Sequence, residues 1–404
     1  MILRFVFGFL FCLLPDLLLS QVKPGIEVLV ARHLDLIQGK RVGLITNPTG
    51  VTSDLISTID VLHGLPQVRL VALFGPEHGV RGDAFAGEKV SHSVDRKTGI
   101  PIYSLYNGPM APPTPEMLQN IDVLIYDIQD IGSRAYTYIY TLALAMQGAA
   151  KAGISVIVLD RPNPLGGNLI EGPVLDERFK SGIGLYPIPS IYGMTVGELA
   201  KFFNEEFGIH VKLTVMPMEG WRRDMIYSDT GLPWVLTSPH VPHSETAFHI
   251  AATGCIGELH TLCEGVGYTL PFEVVGQTWI DPDKLANELN QRNLPGVRFR
   301  PLYFRPYYFS HKDQQLAGVQ IHLSNPRIFR PMLTQLHILA TIRKLYPEQQ
   351  IFNSERVRSF DQAMGTDQVR LALLRGESPE TIVAGWEKEL GKYRQKREKY
   401  LLYR

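Results

Sequence analysis

At 404 residues the chain exceeds one ordinary domain, and its length points to two or at most three, each able to bury its own core. A hydrophobic content of 45% with 20% charged residues is that of a folded globular protein and excludes wholesale disorder. Lys and Arg number 40 against 40 Asp and Glu, so no surplus of positive charge exists to hold a polyanion, and nucleic acid is not expected as a partner.

Residues 1–20 stand apart from the rest. Arg4 precedes the apolar run Phe5–Leu14, and Leu17–Ser20 leads into polar Gln21. A charged start, a short apolar core and a small-residue exit predict a secretory signal peptide, too short to be a membrane span. The mature chain is then expected to begin near Gln21, secreted or periplasmic, with no stable membrane span once the signal is gone.

From residue 40 to about 216, short β-rich runs alternate with helical patterns, which predicts βαβ units and a mainly parallel sheet. Strands are expected near 42–47, 68–74, 101–105, 122–128, 155–160 and 211–216. Helices are expected near 52–63, 114–120, 135–152 and 195–207, the last opened by a capping box of Thr195 and Glu198. Four of the apolar runs end in polar tips: Asn47, Glu77-His78, Asp127-Ile-Gln-Asp130 and Asp160-Arg-Pro-Asn163. In an open α/β sheet ligands bind where strands end, so one shared cleft is expected.

Within that cleft Glu77 is the leading general acid. A carboxyl on a loop beside Phe74 and Pro76 can lose water, which raises its affinity for a proton. His78 and Arg81 are close enough to tune it, along with Asp83; the alternative is a Glu77–Arg81 pair that only holds the loop. A carboxylate acting on a sugar bond needs a partner across the scissile atom, and Asp127, Asp130 and Glu264 are available. Arg134 and Tyr136, at the start of a helix, supply a donor fork and a flat ring suited to a carboxylate-bearing sugar. Asp130 could instead form an Asp–Arg pair that caps that helix. Arg161 is a candidate anion clamp on the rigid Asp160–Gly167 turn, beside Asn163.

Gly82–Lys89 lacks the Lys-Ser/Thr of a phosphate loop, and no G-x-G-x-x-G opens the first helix. Histidines 78, 92, 240, 243, 249 and 260 reach a metal only by converging from distant loops, and no HExxH spacing occurs. Neither a cofactor nor a catalytic metal is expected.

Between Tyr186 and Val241 the sequence is rich in Pro, Gly and aromatics, the texture of binding loops, and Trp221, Trp234 and Tyr192 are candidates to stack on sugar faces. A second unit follows a helical stretch from Glu245, with a strand at 318–323 and helices near 332–346 and 379–403. The last helix is charged along one side, which predicts a solvated face. Cys255 and Cys263 are equally readable as a disulfide or as two core thiols.

The blocks Gly43–Gly50, Leu73–Gly82, Gly87–Lys89, Asp127–Asp130, Leu159–Pro164, Glu171–Asp176 and Gly231–Trp234 together resemble the exo-β-N-acetylmuramidase family, NamZ-like, over roughly residues 25 to 350. The resemblance implies an α/β fold, with a Rossmann-like catalytic domain over 21–250 and a smaller α/β auxiliary domain over 251–404. It implies a cleft site with Glu77 as the catalytic glutamate and His78, Asp127 and Arg161 around it. It further implies release of terminal N-acetylmuramic acid from MurNAc-GlcNAc oligosaccharides or muropeptides in cell-wall turnover. Two places depart from the family pattern: His240 stands where Asn is usual, and Val266 and Tyr268 stand where Arg and Thr are common. The lost arginine leaves Arg134 or Arg161 to hold the lactyl carboxylate. The rival readings are a non-catalytic carbohydrate-binding or cell-wall scaffolding protein, and an esterase or amidase, for which no G-x-S-x-G elbow is present.

Overall fold

The computed structural model of the protein describes residues 21–81, 93–106, 110–352 and 355–404; the signal-like segment 1–20, the Gly82–Lys89 stretch with Asp83, and His92 lie outside them. Among the described residues nine strands build the first part: β1 (Arg41–Thr46), β2 (Arg69–Gly75), β3 (Ser93–Val94), β4 (Pro101–Ser104), β5 (Val123–Asp127), β6 (Ser155–Leu159), β7 (Glu171–Val174), β8 (Pro189–Ile191) and β9 (Leu213–Met216). Seven of them form one sheet in the order β3-β4-β2-β1-β5-β6-β9, parallel throughout except for the edge strand β3. All five residues of central β5 are buried, as a strand covered on both faces requires.

Helices α1 (Gly25–Arg32) and α2 (Thr58–His63) cover one face, meeting Val42, Leu44, Ile125 and Ile157. The short α3 (Pro115–Leu118) joins α4 (Tyr138–Ala152) and α5 (Val196–Glu206) on the other face, against Ile45, Phe74, Leu124 and Tyr126. Residues of one strand thus divide between two cores, the consequence of a side-chain period of two. The expected capping box opens α5: Glu198 N donates to Thr195 Oγ1 at 3.2 Å and Thr195 N to Glu198 Oε2 at 3.0 Å. Strand order reverses between β1 and β5, so the ends at Thr46 and Asp127 flank the crevice where doubly wound sheets bind ligands.

The C-terminal part begins with α6 (Thr246–Gly257) and holds the antiparallel sheet β10-β12-β11, built from β10 (Val274–Gln277), β11 (Val297–Phe304) and β12 (Leu316–Leu323). Helices α7 (Pro282–Asn290), α8 (Pro331–Leu345), α9 (Val357–Met364), α10 (Gln368–Leu374) and α11 (Pro379–Arg397) complete it. Of the three strands only β12 was expected. Pro301 obscures β11 in the sequence, yet β11 is an edge strand, where a missing N–H costs no ladder bond.

The two parts are tied at several points. Glu171 of β7 accepts from Arg330 Nε at 2.6 Å and from Met332 N at 2.9 Å, so its carboxylate sits on the N-terminus of α8. Along α11, Ile382, Trp386, Leu390, Tyr393 and Arg397 are buried at helical spacing, leaving the charged face to solvent. The end of the chain then crosses the first part: Tyr393 Oη donates to Tyr192 O at 2.9 Å and Tyr403 Oη to Asp160 Oδ2 at 2.6 Å. Among the described residues no helix is long and apolar enough to cross a membrane.

Candidate active site

Strand β2 ends at Gly75, and the turn that follows brings Gly79 N to Pro76 O at 2.9 Å. His78 in that turn has φ +69°, a left-handed conformation that costs a non-glycine residue energy and concentrates at functional sites. The turn presents Glu77 toward the start of α4, where Thr137 Oγ1 donates to Glu77 Oε2 at 2.8 Å. Tyr106, just past the adjacent parallel strand β4, hydrogen-bonds the same carboxylate with its hydroxyl. Arg81 turns away and pairs with Asp95 at 2.5 Å, so the alternative in which it neutralises Glu77 does not hold, and it does not face the cavity.

Glu77 and His78 open onto a cavity of about 240 Å³ between the two parts of the chain. One wall is polar, with Ser133, Tyr136, Thr137 and Tyr138 from the loop before α4 and from its first residue, and Ser238 and His240 from the long loop. Tyr136 Oη donates to Thr237 Oγ1 at 2.8 Å, which fixes its ring. The C-terminal part supplies the rest of the lining: Ile250, Ala251, Cys255 and Glu258 at α6, with Phe272 and Met332. Burial raises the Glu258 carboxyl above its usual range while Arg356, 3.5 Å away, opposes that shift. Burial, and then the nearby His78, lower the pKa of His240 below the ordinary histidine value. Cys255 and Cys263 are both free thiols.

Of the residues expected at the site, Glu77, His78, Tyr136 and His240 line this cavity. The others are placed elsewhere. Asp127 is fully buried and forms two hydrogen bonds with Arg161, at 2.6 and 2.9 Å, while Thr58 Oγ1 donates to it at 2.5 Å. Arg161 spends its remaining reach on Val51 O at 2.8 Å and is no anion clamp. This ion pair fills the crevice at the switch in strand order. Asn47 closes the same crevice, accepting from Thr49 N and Thr49 Oγ1 in a local turn. Asn163 is also internal, bonding Met194 O and Leu165 N.

Arg134, expected to meet a substrate carboxylate, is instead completely buried and donates to the carbonyls of Pro173, Ile188 and Ala363. Gly365 gives it room, since a Cβ there would strike the guanidinium. Asp130 accepts from Gly132 N at 2.8 Å and from the Tyr192 hydroxyl, and it neither pairs with Arg134 nor caps α4. The aromatics expected to stack on sugar are occupied as well. Tyr192 and Trp221 are core residues, and Trp234 donates to Val241 O at 3.1 Å with its ring against Tyr227.

Glu264 is buried beside Gly257, where a Cβ would meet its carboxyl, and does not line the cavity. Burial pushes it up to about 7 from an ordinary value of 4.5, with a further contribution from Glu258. Between those values the native chain keeps a proton that the unfolded chain releases, so this group costs stability as pH rises through the window, in total about 3 kcal/mol. Glu264→Gln is therefore expected to gain up to about 3 kcal/mol over the parent at pH 8 and much less at pH 5, read by urea unfolding. An equal gain at both pH values would contradict the placement.

Thr137, Tyr106 and Glu258 were not expected. Thr137 and Tyr106 obey the strand-end rule that exposed Glu77, one before α4 and one after β4. Glu258 carries no local signal, because only packing of α6 over the first part brings it to the cavity.

The family model described as exo-beta-N-acetylmuramidase NamZ, N-terminal, matches residues 42–245, and its C-terminal counterpart matches residues 251–403. The chain belongs to the NamZ family. It is 48% identical over 383 residues to the peptidoglycan beta-N-acetylmuramidase NamZ of Bacillus subtilis (strain 168), covering 95% of this chain and 92% of the relative. Crystal structures of two DUF1343 family proteins from Bacteroides fragilis NCTC 9343 share the fold. One has a TM-score of 0.90 at 45% identity and the other 0.77 at 28%, each covering 95% of this chain and 99% of its own. The Rossmann-like domain and the smaller C-terminal domain of this NamZ-family chain together form the cavity that holds Glu77.

Proposed function

We propose that this protein is an exo-acting glycoside hydrolase that releases terminal β-linked N-acetylmuramic acid from the non-reducing end of peptidoglycan fragments. Membership of the NamZ family supports the reaction class, and the observation that carries the site is the Glu77 carboxylate on the wall of an interdomain cavity, held by Thr137 at 2.8 Å.

In this reading Glu77 gives its proton to the bridging oxygen as the bond to the anomeric carbon breaks. Thr137 and Tyr106 hold the carboxyl at the wall of the cavity, where the sugar lies. Asp127 and Glu264 are too enclosed to serve as the second group. Glu258, the carboxylate that the C-terminal part brings to the same cavity, takes that role, activating water or offsetting the positive charge of the oxocarbenium-like state. With Arg134 and Arg161 committed to the interior, the lactyl carboxylate meets the imidazoles of His78 and His240. Ile250, Ala251 and Met332 pack on the acetamido methyl and keep bulk water out. The activity then belongs in the periplasm or outside the cell, in the turnover of the wall, a reading that the charged start and apolar run of residues 1–20 support.

Incubation with a defined MurNAc-GlcNAc oligosaccharide, followed by mass spectrometry of the products, tests the proposal. Free N-acetylmuramic acid is the expected product. A carbohydrate-binding scaffold would hold the saccharide and leave it whole.

A further inference from the structure

We propose that Tyr307, Tyr308 and Phe309 form a platform for the sugars beyond the scissile bond, so that the protein is built for β-linked amino-sugar chains and not for single muramides. The inference rests on the glycosidase reading of the Glu77 cavity and adds to it the length of the substrate.

These three consecutive aromatics follow β11 and are 63, 47 and 54% exposed. Exposed aromatic surface contributes nothing to folding, and Phe309 is held there at φ +70°, a strained conformation for a bulky residue. The segment is nonetheless fixed. Tyr307 N donates to Gly267 O at 2.6 Å, and the Tyr307 ring lies against Tyr268, 6.1 Å between centroids with 28° between the ring planes. Gly267 itself has φ +94° and lies so close to Tyr308 O that a Cβ there would collide with it. Rings that are immobilised, strained and open to solvent are what a stacking surface requires, because little entropy is lost when a ligand lies on them.

Two independent paths join the platform to the cavity. Tyr308 Oη is 2.6 Å from His240 Nε2, and the two rings are stacked, while His240 lines the cavity. The rings of Phe309 and His260 meet edge to face, 5.7 Å between centroids, His260 Nε2 lies 3.3 Å from Arg356, and Arg356 pairs with cavity-lining Glu258. A saccharide whose terminal ring sits against Glu77 leaves the cavity past His240 and meets these rings next. Pyranoses offer apolar C–H faces edged by hydroxyls, which suit tyrosines that carry an apolar body and a polar tip.

The test compares the parent with Tyr307→Ala and Phe309→Ala on two substrates, a MurNAc-GlcNAc tetrasaccharide and a chromogenic N-acetylmuramide. Each variant is expected to lower the ratio of kcat/KM, tetrasaccharide over muramide, by roughly 5- to 10-fold, through KM. Equal losses on both substrates, or an unmoved ratio, would overturn the proposal while leaving the glycosidase reading intact. Calorimetric titration of the tetrasaccharide into Glu77→Gln, with and without Tyr307→Ala, reads the platform without turnover, and a weaker Kd in the double variant is expected. If the parent hydrolyses neither substrate, the glycosidase reading fails, whatever the titration returns. Cosedimentation of the parent with phosphatidylglycerol vesicles that is lost in Tyr307→Ala, with saccharide binding unchanged, would assign the patch to a membrane and overturn the platform.

Discussion

Glu77→Gln should slow release of N-acetylmuramic acid from a MurNAc-GlcNAc saccharide by about 10²- to 10⁴-fold in kcat, the range a positioned proton donor supplies. The substitution keeps an oxygen that can accept from Thr137 Oγ1, so the side chain holds its place and KM changes little. What the amide lacks is the proton for a sugar leaving group, which departs badly as an alkoxide. An aryl muramide whose phenolate departs unaided should therefore lose far less. The signature is the difference between the two substrates, measured as kcat on each. A loss of equal size on both would mean that Glu77 acts on something other than the bridging oxygen.

Breaking the buried pair of Asp127 and Arg161 should be the most destabilising single change near the site. Asp127 is fully enclosed and Arg161 nearly so, and the pair joins β5 to the loops after β1 and β6. Asp127→Leu leaves a guanidinium buried without its counter-charge, at a cost of about 3 to 5 kcal/mol. Arg161→Met strands the carboxylate in the same way. The double substitution Asp127→Leu/Arg161→Met removes both charges together and should lose less than either single change. Urea unfolding of the four proteins closes the cycle. Had Arg161 been an anion clamp in the cleft, Arg161→Met would raise KM and leave the unfolding midpoint in place; the geometry predicts the reverse.

That contrast explains how much of the site was legible in the sequence. The six parallel strands of the main sheet were readable because strands covered on both faces are nearly continuous apolar runs. Their polar ends were readable for the same reason, but a polar end has two possible fates. Glu77 and His78 leave β2 through a tight turn that sets them on the cavity wall, whereas Asp127 and Arg161 pair with each other and Asn47 folds onto Thr49. Nothing within ten residues of Asp127 signals that a guanidinium from the next strand will neutralise it. Arg134 was misplaced for a related reason: its partners are backbone carbonyls at 173, 188 and 363, and carbonyls leave no trace in the residue types. Glu258 reaches the cavity only when the second domain folds over the first, a contact between segments more than a hundred residues apart. Trp221 shows the opposite error, an aromatic in a loop-rich stretch that packs edge-on to Tyr403 inside a small core of its own.

The central claim, that a proton from Glu77 drives removal of one sugar at a time from the non-reducing end, is tested most directly on a MurNAc-GlcNAc tetrasaccharide with a reduced far end. Mass spectrometry over a time course should find free N-acetylmuramic acid and a trisaccharide that keeps the reduced end, formed by the parent and not by Glu77→Gln. Disaccharide fragments from internal cleavage, or an intact tetrasaccharide bound by the parent, would contradict the account.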